Sequence, residues 1–112
     1  MTFSKNHKFD IESRHIAELS KALSHPARVA ILKFLAKTKT CISGDITNEI
    51  PLSRTTVSQH LKELRNAGLI HGEIDGLKIN YCLCKKTTEH LRLLFTEFLN
   101  EIDVDVDCNT NG

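Results

Sequence analysis

The 112-residue chain predicts a mainly α domain carrying one β-hairpin, in the order α-α-α-α-β-β-α. Three observations predict it. Apolar residues recur at three- and four-residue intervals along most of the first 64 positions and again near the C-terminus, the spacing of one buried helix face. The period shortens over "LIHGEIDGLKINYCLC", around Asp75-Gly76, the strongest short-range signal for a hairpin. Proline, glycine and serine stand where such helices should begin and end.

Each element follows in turn. "FDIESRHIAELSKAL" puts Phe9, Ile16, Leu19 and Leu23 on one stripe of a first helix. In "SHPARVAILKFLAK", Pro26 suits the first turn of a second helix, with Ser24 or His25 just outside it. Ile31, Leu32 and Leu35 should face inward there, flanked by Val29 and Phe34. "KTKT" breaks the pattern. "SGDITNEI" reads as a short third helix, with Ile46 and Ile50 four apart and Ser43 as its cap, and Pro51 ends it. Ser53 caps a fourth helix, and Gly68 follows it where a left-handed C-terminal residue is common. Strands are expected near 69–74 and 77–84. "TTEHLRLLFTEFLNEI" returns to helical spacing through Leu91, Leu94, Phe95, Phe98, Leu99 and Ile102. Residues 1–112 form one domain, with 1–8 and 104–112 as frayed tails.

Composition narrows the setting. Forty per cent of the residues are hydrophobic and Trp is absent, so the core must be mostly Leu and Ile. No stretch of about 18 uncharged apolar residues could span a membrane. The polar start "MTFSKNHKFD" lacks the apolar run of a signal peptide, so a cytoplasmic protein is the expectation, with four Cys as free thiols or ligands. All 15 Lys and Arg precede residue 93, which leaves residues 1–96 with a surplus of +6, while five acids after residue 96 make the tail −5. A basic body of this kind can bind a polyanion, although such charges can equally be a solvated surface.

The fourth helix, within "LSRTTVSQHLKELRNAGLI", carries the functional signal. Val57, Leu61 and Leu64 line one side, and Arg54, Thr55, Thr56, Ser58, Gln59 and Lys62 the other. A short helix, a tight turn and a second helix make a helix-turn-helix, whose second helix offers its N-terminal residues to base edges in the major groove. Arg suits guanine, Gln adenine, and the Thr methyl thymine. Ser53 and Lys62 suit phosphates, which set register without reading sequence. The hairpin that follows reads as a wing, with Lys78 near its tip able to reach the DNA backbone or minor groove. His60 falls on the inward stripe and reads as a half-buried histidine hydrogen-bonded to backbone or phosphate. The alternative for this face is plain solvation, but its small polar groups differ from the usual Glu/Lys mix.

"KALSHPARVAILKFL", "LSRTTVSQHLKELRNAGLI" and "GLKINYCL", in that order, resemble the ArsR/SmtB family of bacterial winged-helix repressors, over roughly residues 16–102. The resemblance implies a winged helix-turn-helix, a recognition helix near 54–67, and a homodimer through the first and last helices that holds a palindromic double-stranded operator until an inducer releases it. Phe9, Ile16, Leu19, Leu94, Phe95, Phe98 and Ile102 are then the dimer interface. Independently, their stripes exceed what so small a domain needs for its own core.

Sensing is where the chain departs from the family pattern. Arsenic-sensing members carry Cys-x-Cys before the helix-turn-helix; here "CISGDI" has Ile42 and Gly44 at those positions, with Cys41 one residue earlier. Zinc-sensing members place acids and histidines on the last helix; His90, Glu101 and Asp103 are present, but the histidine pair expected on the second strand of that site is not, which argues against zinc. In "NYCLC", Cys82 and Cys84 share one strand face, opposite Tyr81 and Leu83, and both should point outward. With Cys108 they could clamp arsenite, antimonite or another thiophilic ion. The competing readings are small apolar fillers, or a regulatory disulfide or persulfide bridge between Cys41 and Cys108. Nothing stands at a diagnostic spacing for catalysis, so no enzyme is expected. The alternatives to an inducible repressor are a winged-helix protein-interaction module and a constitutive DNA-binding regulator.

Overall fold

Three of the described helix starts are set by side chains that take up otherwise unpaired backbone N–H groups. The computed structural model describes residues 8–39, 41–43, 50–73 and 80–108. Over these it runs α1 (Ile11–Ala22), α2 (Pro26–Thr38), β1 (Ile42–Ser43), α3 (Arg54–Asn66), β2 (Ile70–Glu73), β3 (Asn80–Leu83) and α4 (Lys85–Ile102). Asp10 Oδ1 accepts from Ser13 N at 2.6 Å to begin α1. His25 Nδ1 accepts from Ala27 N at 3.0 Å to begin α2, with Pro26 in its first turn. Ser53 Oγ accepts from Thr56 N at 3.2 Å to begin α3.

The end of α3 is equally explicit. Gly68 takes φ +81°, in the left-handed region where a side chain is costly. Its N–H donates to Arg65 O, and Leu69 N–H donates to Leu64 O. These two bonds satisfy carbonyls the helix leaves open. Leu64 and Leu69 are both fully buried, so the chain turns from α3 into β2 around its own core.

β3 is the middle strand of a three-stranded antiparallel sheet, in the order β1-β3-β2. β2 and β3 form the expected hairpin, with Ile70 opposite Leu83 and Glu73 opposite Asn80. Its Asp75-Gly76 turn and Lys78 lie outside the described residues, as does most of the expected third helix. Ser43, expected to cap that helix, belongs instead to β1 and stands opposite Asn80. The pairing of a third strand is a long-range event that local spacing does not report.

The core is Ile31 and Leu35 of α2, Leu64 of α3, Leu69, Ile70 and Tyr81 of the hairpin, with Leu19 and Leu94 closing it from α1 and α4. Leu19 and Leu94, expected at a dimer interface, are thus buried within the protomer, because α1 and α4 pack on each other. Ile16 and Phe95 are half-buried against the same core. Of the expected interface residues, Phe9, Phe98 and Ile102 remain exposed. Exposed large apolar residues also include Ile11, Leu93 and Leu99 on these two helices.

Candidate nucleic-acid interface

α3 has a clearly divided surface. Val57, His60, Leu61 and Leu64 are buried against α2 and the hairpin. Arg54, Thr55, Thr56 and Gln59 are exposed, and Ser58 and Lys62 half-exposed, so the segment expected to read DNA faces outward along one side. Ser53, assigned to phosphate contacts by its type, also serves as the helix cap. Its Oγ lies 2.9 Å from Thr56 Oγ1, which ties part of the hydrogen-bonding capacity of both residues to the helix start.

His60 anchors this helix from behind. Its Nδ1 accepts from Arg28 Nε at 3.1 Å, a side-chain partner rather than the backbone or phosphate expected. Arg28 also donates from Nη1 to the carbonyls of Lys21 and Ala22, at 3.3 and 3.4 Å, at the C-terminus of α1. One guanidinium therefore fastens the end of α1 to the back of α3. The His25 ring lies 4.3 Å from that of His60, centroid to centroid. Burial, then the neighbouring His25 and Arg28, hold the His60 imidazole below its usual value of 6.5, partly offset by Glu63. Since Arg can only donate, Nδ1 must be the bare nitrogen and Nε2 carries the proton. Nothing in the fourth helix alone pointed to Arg28 or His25 as its supports.

With the divided helix and the antiparallel hairpin in place, the chain can be compared with known proteins. Residues 25–71 match the family described as bacterial regulatory protein, arsR family. The HTH-type transcriptional regulator YgaV of Escherichia coli (strain K12) is 39% identical over 67 residues, covering 60% of this chain and 68% of that protein. The chain belongs to the arsR family of bacterial regulatory proteins. The HTH-type transcriptional repressor SmtB of Mycobacterium tuberculosis is 34% identical over 76 residues, covering 68% of this chain but only 56% of that repressor. Among solved structures, HlyU from Vibrio cholerae N16961 superposes with a TM-score of 0.60 at 26% identity, over 80% of this chain and 98% of HlyU. The arsR family comprises DNA-binding helix-turn-helix regulators of transcription, not enzymes. The fold is the winged helix expected from the sequence.

The arsR-type fold brings the cysteines together differently from expectation. Cys41 and Cys82 form a disulfide, with Cα atoms 4.3 Å apart. Cys41 precedes β1, and the pair continues the β1–β3 register by one step. Cys82 is thus bonded to Cys41, which is therefore not left for Cys108. Cys84 sits at the N-cap of α4. There the Thr87 hydroxyl donates to its Sγ at 3.4 Å and holds the thiol below the ordinary cysteine range; the open backbone of Thr87 and Lys86 and the Lys86 charge add to this, against a smaller opposing effect of burial. Cys108 is exposed beyond the far end of α4, about 27 Å along an 18-residue helix. The expected Cys82, Cys84 and Cys108 clamp is therefore not assembled. Among the described residues no three His, Cys, Asp or Glu side chains are grouped to hold a metal ion. His90, considered above as a zinc ligand, packs edge-on against His15 at 5.8 Å. No helix among the described residues is long and apolar enough to cross a membrane.

Proposed function

We propose that this arsR-family chain is a cytoplasmic repressor that binds a palindromic operator as a homodimer, with Ser53 to Lys62 as its reading segment. The observation that carries this reading is the division of α3, with Arg54, Thr55 and Gln59 exposed over an apolar back locked into the core. Phosphates would be met by Ser53, Lys62 and, by its place in the wing, Lys78. The dimer is supported by Phe98, Leu99 and Ile102 on α4 and Phe9 and Ile11 at the start of α1, all exposed and apolar. A two-fold pair would set two copies of α3 about 34 Å apart, one turn of duplex DNA.

The inducer belongs to thiol chemistry. The Cys41–Cys82 pairing supports oxidation as the releasing event over capture of a metalloid by three sulfurs. The testing experiment is operator selection from a random duplex library, followed by Gln59→Ala and Thr55→Ala. Loss of about 1–3 kcal/mol with relaxed preference at one base pair supports the reading. So does a steep fall of affinity with salt. Binding insensitive to both would leave a protein-interaction module as the better account.

A further inference from the structure

The described helices pack in two groups: α1 lies on α4, while α3 lies on α2 and β2. Arg28, in the first turn of α2, ties the groups together with one guanidinium. Its Nε donates to His60 Nδ1 at 3.1 Å on the back of α3, and its Nη1 to the Lys21 and Ala22 carbonyls at 3.3 and 3.4 Å at the end of α1. His60 is only 8% exposed, and its Nε2 is buried without a hydrogen-bond partner among the described residues. Nδ1 is thus the atom through which the ring is held. A doubly protonated imidazole has no acceptor, so a proton on Nδ1 would set N–H against N–H and expel the guanidinium. Acting on the ring are His25 at the start of α2, 4.3 Å away between ring centres, Arg28 from α2 and Glu63 from α3; β2 adds no charged group to this set. A cleft of about 520 Å³, lined by Glu18, Lys21, Ala22, Arg28 and Glu63 among others, gives a displaced guanidinium room and carboxylates to meet.

Resting on the operator-binding reading above, we infer that Arg28 is a positioning residue for operator binding: through a neutral His60 it fixes α3 relative to α1, and acid, by protonating His60, loosens the hold on a palindrome. A palindrome needs two copies of α3 about 34 Å apart. If α1 and α4 carry the two-fold axis, as proposed, the place of α3 relative to α1 sets that span. A half-site needs one α3 and no span. Loss of the Arg28 link therefore costs binding to the whole palindrome more than binding to half of it. The sign follows from the burial of His60, which keeps the folded-state imidazole neutral to below pH 6.5. Affinity is full at pH 7.5 and declines as the pH falls below that value.

The experiment uses the full chain in excess reductant, so that only the proton varies. Affinity is measured at pH 7.5 and pH 5.0 for a selected palindrome and for a duplex with one half scrambled, and circular dichroism reports folding at both. The parent's palindrome affinity should fall about fivefold or more at pH 5.0, the lower end of usual coupling between two sites, and its half-site affinity much less. His60→Asn keeps an acceptor near the position of Nδ1 but does not titrate. It should match the parent at pH 7.5 and lose the response to acid. Arg28→Met and Arg28→Lys should both behave at pH 7.5 as the parent does at pH 5.0, because Lys keeps the charge but lacks the planar fork.

A response to acid that survives in His60→Asn overturns the inference and assigns the effect to another group. Equal losses on palindrome and half-site, or full palindrome affinity in Arg28→Lys, also overturn it, and these two readouts decide the matter should His60→Asn fail to fold. A folded parent that binds the palindrome equally at both pH values overturns the inference alone. A folded parent that binds no duplex at pH 7.5 overturns the operator reading and this inference with it.

Discussion

Arg28 donates from Nε to His60 Nδ1 at 3.1 Å, joining residues 32 positions apart. The same guanidinium closes the last carbonyls of α1. α3 is therefore positioned by a polar contact at its back as well as by Val57, Leu61 and Leu64.

Burial of the His60 imidazole, with His25 and Arg28 beside it, makes stability depend on pH. His60 has a folded-state pKa below 6.5, so below that pH the unfolded chain binds more protons than the folded one. Stability should be level above pH 7 and fall as the pH drops through 6.5 and below, until the folded-state imidazole itself is protonated. Chemical denaturation at pH 7.5 and pH 5.5 checks this, and His60→Leu should flatten the difference. A variant as pH-sensitive as the parent would place the effect elsewhere. Arg28→Met should cost about 1–3 kcal/mol at neutral pH by leaving His60 Nδ1 and two α1 carbonyls without this donor.

Ser53 has two roles that substitution separates. Ser53→Ala removes the cap on Thr56 N and should lower stability by about 1 kcal/mol. Ser53→Asp keeps a capping oxygen and should retain stability, yet its charge beside a phosphate should weaken operator binding. Thermal melts and operator titration on both variants distinguish the roles.

Gly72 stands opposite Tyr81 at φ +130°. A Cβ there would meet the Asn80 carbonyl and lie 2.8 Å from Tyr81 Cα, both backbone atoms that cannot swing aside. Gly72→Ala should destabilise the hairpin by about 2 kcal/mol or more. Gly68→Ala has room, with Thr87 the nearest side chain at 3.5 Å, and should cost only the backbone strain of φ +81°, about 1 kcal/mol. Urea midpoints measured together test the ordering.

Two leucine-rich faces of α4 should behave differently. Leu94→Ala opens the protomer core and should cost about 2–5 kcal/mol. Phe98→Asp and Ile102→Asp alter an exposed surface, so the monomer should stay folded while sedimentation shows loss of the proposed dimer. A dimer unchanged by both would move the interface away from α4.

Cys84 should react ahead of Cys108. The Thr87 hydroxyl and the open first turn of α4 favour its thiolate. Alkylation at neutral pH, followed by peptide mass mapping, should label Cys84 several-fold faster than a free cysteine, and Thr87→Val should remove much of that lead.

Helix periods, caps and the hairpin were legible in the residues themselves, because they depend on neighbours within a few positions. Ser53, Pro26 and Gly68 act on backbone groups one to four residues away, and the outward side of α3 follows from where Val57, Leu61 and Leu64 must go. What only the tertiary structure decided were contacts between distant segments: Arg28 on His60, β1 on β3, Leu19 and Leu94 in one core, and Cys41 with Cys82. A cysteine two positions along a strand is near in sequence but parallel to its neighbour, whereas one 41 positions away can lie directly opposite. Local spacing records which face a side chain takes, and packing alone selects what meets it there.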